Sequence, residues 1–74
     1  MRSDRLLPAG TRVRLDSAAD GPEFGVIVHC WMNPEINAYD NIVAFFGSSF
    51  PGDGPADDIY LLRYASMSLD TLDD

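Results

Sequence analysis

Before residue 66, no window of this chain sustains a one-faced i, i+3, i+4, i+7 apolar pattern against a polar opposite face, as an amphipathic helix needs. The apolar residues fall instead into four short runs, separated by segments rich in Gly, Pro, Asp and Asn. "GTRVRL" (10–15) alternates, with Thr11, Val13 and Leu15 on one face and Arg12 and Arg14 on the other, as a half-buried strand does. "EFGVIVHCW" (23–31) is β-branched and aromatic, a composition that suits a pleated surface. Strict alternation along it predicts Phe24, Val26, Val28 and Cys30 on one buried face. Gly25, Ile27, His29 and Trp31 are predicted on the other.

"YDNIVAFFG" (39–47) reads as a third strand, with Tyr39, Val43 and Phe45 opposing Ile42, Ala44 and Phe46, and "IYLLRYA" (59–65) as a fourth. "DSAADGP" (16–22) and "MNPEINA" (32–38) carry turn chemistry at Asp20-Gly21-Pro22 and Asn33-Pro34. "SSFPGDGPADD" (48–58), with two prolines and two glycines, is expected to be irregular, and "SMSLDTL" (66–72) to form a helical turn or a short last strand. Short strands and polar turns in a chain of this size predict a mostly β fold. The expected form is a small SH3-like barrel of four to five antiparallel strands, with at most a short helical turn near the carboxyl end. Closure would remove the open edges that such strands otherwise present.

Seventy-four residues make one domain, with residues 1–9 as an amino-terminal extension and 10–72 as the barrel. A chain this short buries only roughly 60% of its unfolded surface. A lone cysteine forms no internal disulfide, and one Cys with one His supplies no zinc pattern. The fold must rely on apolar burial, to which a homodimer would add. No signal peptide and no run of the ~20 apolar residues that span a membrane is visible, so a cytoplasmic location and no membrane partner are expected.

The charge is −7 at pH 7, from twelve acids against five arginines and no lysine. It is uneven: residues 1–14 carry four arginines against Asp4, whereas residues 15–74 carry Arg63 alone against eleven acids. Such a surface repels nucleic-acid phosphates and favours basic protein partners.

No residue set spells out a reaction. Neighbours on a strand point to opposite faces, so His29 and Cys30 cannot share a proton or a metal. Asp53, Asp57 and Asp58 lack the alternating ligands of a calcium loop. Ser48 and Ser49 lack the glycines of a nucleophile elbow. The chain is therefore expected to be no enzyme, with no cofactor and no metal. Strands two to four are apolar on both faces, more than a half-solvated sheet needs. An exposed aromatic patch rimmed by acids is the form of an interaction site. The candidate partner-binding residues are Trp31, Tyr39 and Phe46, with Glu35, Asp40, Asp53, Asp57 and Asp58 supplying charge.

"GTRVRL" followed by "EFGVIVHCW" resembles the opening of an SH3-like barrel, where a Gly starts the first strand and a Gly-Val opens the second. "NIVAFFG" is similar to the middle strands of Tudor-type barrels. That resemblance covers roughly residues 10–65 and implies a module binding a basic or methylated peptide, with Trp31, Tyr39, Phe46 and Tyr60 as candidates for an aromatic cage. In size, acidity and lack of a catalytic set, the chain also resembles bacterial immunity proteins. This likeness implies an inhibitor that covers a basic active or substrate-binding surface of a cognate toxin. A chain running from Met1 to Asp74 favours the inhibitor, because reader modules usually sit inside longer proteins.

Overall fold

A computed structural model describes residues 3–16, 21–47 and 59–72. Its elements are β1 (Arg12–Leu15), β2 (Glu23–Asn33), β3 (Ala38–Gly47), β4 (Tyr60–Ala65), a 3-10 turn (Ser66–Ser68) and β5 (Asp70–Thr71). The strands form one antiparallel sheet in the order β4-β3-β2-β1-β5. This order, with the 3-10 turn between β4 and β5, is compatible with an SH3-like fold. "SMSLDTL" thus forms both the turn and the last strand. The segment predicted to be irregular, 48–58, and residues 17–20 of the 16–22 turn segment lie outside the described residues.

β1 follows its alternation, with Val13 and Leu15 buried and Arg12 exposed. β2 does not. Ile27 pairs with Val43, but His29 pairs with Ile42, so Val28 is an extra residue on β2. Such a β-bulge resets which face each later residue takes. The expected valine face is therefore wrong: Ile27 is fully buried, whereas Val28 is exposed. Past the bulge, Cys30 returns to the core side and packs against it, while His29 and Trp31 turn outward. A second irregularity, between Phe24 and Gly25, leaves Phe46 as the extra residue on β3.

The core comprises Leu7, Val13, Leu15, Ile27, Val43, Phe45 and Leu69, with Cys30 and Tyr64 packed against it. Phe45 is its centre, meeting Tyr64 edge-on at 5.8 Å and Tyr60 at 6.0 Å. Gly25, paired with Phe45 across the sheet, is required by this packing. A Cβ there would fall 2.6 Å from the Ala44 carbonyl oxygen and 3.0 Å from the Phe45 ring.

Residues 3–9 do not trail from the sheet. Leu7 is buried in the core, and its N–H donates to Cys30 Sγ at 3.4 Å. Asp4 Oδ1 accepts from Tyr39 N–H (2.8 Å), and the Arg5 carbonyl accepts from Ser66 Oγ (2.8 Å). Gly10 N–H then donates to the Ile27 carbonyl at 2.8 Å. The segment is a strap, fixed at one end to β3 and the 3-10 turn and at the other to β2. Asn41, fully buried, ties down the 3-10 turn by donating to the Tyr64 carbonyl (3.1 Å) and Ser66 Oγ (3.0 Å).

Cys30 lies under this strap, where a thiol behaves as a small hydrophobe. A thiol reagent should label it much more slowly in the native protein than in denaturant. Equal rates in the two states would refute the packing of Leu7 over Cys30.

Candidate functional site

The face of the sheet turned away from the core follows from the register. Trp31, Asp40 and Ala65 form one cross-strand row; His29, Ile42 and Arg63 form the next; Val26, Ala44 and Leu61 form a third. The bulge at Val28 places His29 and Trp31 here together. Their rings stack at 5.6 Å with 14° between planes. His29 is exposed and Trp31 half-buried, so the pair presents a flat aromatic surface already held in place.

Beneath that surface is a paired charge. Asp40 is only 3% exposed, although it was assigned to the charged rim. Its Oδ2 accepts from Asn33 Nδ2 at 3.1 Å and meets Arg63 Nε at 3.1 Å; its Oδ1 accepts from the Asn41 N–H at 3.0 Å. A buried carboxylate needs such partners, and with them its charge is compensated within the chain. Arg63 reaches it from β4, leaving much of its own side chain in solvent.

The hairpin that joins β2 to β3 begins at Asn33-Pro34, where the sequence carries turn chemistry. Asn33 Oδ1 accepts from Glu35 N–H at 3.0 Å, the side-chain turn that Asn favours. Asn37 closes the loop at φ 52°, in the left-handed region that Asn tolerates. Glu35 is thereby held exposed at the tip, next to the row that carries Trp31.

The other candidates do not converge there. Tyr39 pairs with Met32, one position along from the Trp31–Asp40 pair, so it faces the core side. Phe46 and Tyr60 sit at the far end of β3 and β4. Seven residues of strand separate Phe46 from Tyr39, about 20 Å. Trp31, Tyr39, Phe46 and Tyr60 are therefore not brought around one cage. Asp53, Asp57 and Asp58 lie outside the described residues. Sequence reasoning missed Ile42 and Arg63 in the row next to Trp31, because only the strand register brings them there.

At the far end, Tyr60 donates its hydroxyl to Glu23 Oε2. That hydrogen bond to a carboxylate, with smaller contributions from desolvation and from the charge of Glu23, pushes the Tyr60 pKa up from its ordinary 10.0 to about 12. The neutral phenol is the bonded form. The bond's contribution to stability is complete below pH 10 and is lost as the pH rises through about 12. A spectrophotometric titration should show one tyrosine ionising near pH 12 and returning towards 10 in Glu23→Ala. An unchanged titration in the variant would rule out this pairing.

Among the described residues, no three His, Cys, Asp or Glu side chains come together as a metal site. No described helix is long and apolar enough to cross a membrane. Comparison with protein-family models, with curated proteins and with solved structures finds no match to the chain.

Proposed function

We propose that this protein is a non-enzymatic binding protein that covers a basic surface of a protein partner, in the manner of an immunity protein that blocks a cognate toxin. The observation that carries this reading is the solvent-facing His29–Trp31 stack, set beside exposed Glu35 on a chain of charge −7. A preformed aromatic surface loses little side-chain freedom on binding, and aromatic residues commonly anchor interfaces. The chain's negative field speeds encounter with a positive surface and disfavours others. The separation of Trp31 from Phe46 and Tyr60 supports steric covering over a cage for methylated side chains.

The test uses the product of the neighbouring reading frame as the partner. Binding should be tight and slower to form at high salt, and co-expression of this chain should relieve any toxicity of that product. Failure to bind it, or binding that is indifferent to changes on the Trp31 face, would overturn the proposal.

A further inference from the structure

The two edges of the sheet differ. β5 is two residues long, carries Asp70 and is half-covered by its own chain, which are ordinary protections for an edge. β4 is less protected, since its one charge, Arg63, is paired with Asp40 and only Tyr64 and Ala65 are half-covered. It is six residues long and ends the sheet among the described residues, without proline, lysine or a bulge. Ile59, Tyr60, Leu61 and Leu62 are all exposed, Leu61 to 62% and Ile59 to 56%. A long, flat, apolar edge is a template for another strand.

Charge decides which strand. Residues 59–65 contain no acid and one base, Arg63, and that base is already paired with Asp40 at 3.1 Å. The edge is close to neutral, so it offers a basic partner nothing that the rest of this acidic chain does not offer better. A neutral apolar strand is matched by one like itself.

We infer that β4 pairs antiparallel with β4 of a second copy, joining two five-stranded sheets into one of ten. Such a contact is isologous and closes on itself, and the short acidic β5 edge prevents further growth. With both cores on the same side of the joined sheet, paired residues must share a face. The register centred on Leu62 satisfies this and places Leu61 of one protomer opposite Arg63 of its partner. The inference does not depend on the proposed function, since it uses a different surface.

The salt dependence distinguishes the two. Each protomer carries −7, so self-association is opposed by long-range repulsion. Screening shortens that repulsion from about 30 Å at 0.01 M to about 10 Å at 0.1 M salt. The dimer should therefore tighten as salt rises, whereas capture of a basic partner weakens. Sedimentation of the full chain across concentration should show the 8.1 kDa protomer giving way to a species of twice that mass, more readily at 0.15 M than at 0.01 M salt.

Two substitutions locate the contact. Leu61→Lys and Met67→Lys change the net charge equally and both fall on exposed residues, Met67 being 59% exposed and off the edge. Leu61→Lys should weaken the dimer at least ~tenfold, through lost apolar burial and a like charge set against Arg63; Met67→Lys should leave it nearly unchanged. Hydrogen exchange on the unaltered chain should slow in β4 as concentration rises. A monomer under all conditions, equal effects of the two lysines, or concentration-independent exchange in β4 would each overturn the inference.

Discussion

Replacing Phe45 with alanine should destabilise the protein by ~3–5 kcal/mol, the usual loss for a fully buried phenylalanine. Phe45 is 0% exposed and meets Tyr60 and Tyr64 ring to ring. A domain of this length is stable by roughly 4–11 kcal/mol in total, so the substitution should remove from about a quarter to all of that stability. The site has little capacity to collapse, because Gly25 opposite offers no side chain to fill the space. Phe45→Leu, which keeps most of the volume, should lose much less. Urea unfolding of both variants measures this. A loss below ~1 kcal/mol for Phe45→Ala would mean that the core is not organised around this ring.

Trp31→Ala is the corresponding change on the outer face. If the aromatic stack anchors the partner, its removal should weaken binding by ~2 kcal/mol or more, about 30-fold in Kd, appearing mainly in the dissociation rate. Glu35→Ala should instead slow association, most at low salt, and leave dissociation almost unchanged. Kinetic binding of both variants at two ionic strengths separates these outcomes. Equal, small effects from both would move the interface away from the hairpin end of the sheet.

The fold class was legible because alternation survives wherever a strand is regular. Val13 and Leu15 in β1, and Val43 and Phe45 in β3, lie inward as their spacing indicates. Three features were not legible, each for a physical reason. The Val28 bulge leaves no trace in a run that is apolar at almost every position, so nothing in the pattern shows a reset of facing. Leu7 is one of two adjacent leucines before Pro8, and nothing in the pattern shows that it is buried and Leu6 exposed; that follows from its bond to Cys30 and from the bonds of Asp4 and Arg5 to Tyr39 and Ser66. Asp40 reads as a surface acid, because Arg63, which neutralises it, is 23 residues away and is brought to it only by the β3–β4 register. Of the candidate site, the sequence placed His29 and Trp31 together on one face. Tyr39, Phe46 and Tyr60 were grouped with Trp31 only because strand ends are not visible in composition.

The extra residue at Val28 makes the aromatic display a matter of parity. Gly25 and Trp31 are six positions apart, an even count that would put both on one face of an unbroken strand, yet one is inside and the other outside. Pairing β2 without the bulge would slip everything after Ile27 by one position, turning His29 and Trp31 inward and Cys30 and Met32 outward. That slip exchanges two surfaces at once, which no single substitution in β2 does. Deleting Val28, by contrast, removes only the extra residue and leaves Ile27 opposite Val43 and His29 opposite Ile42, so loss of that one codon would keep what this end of the molecule shows to a partner.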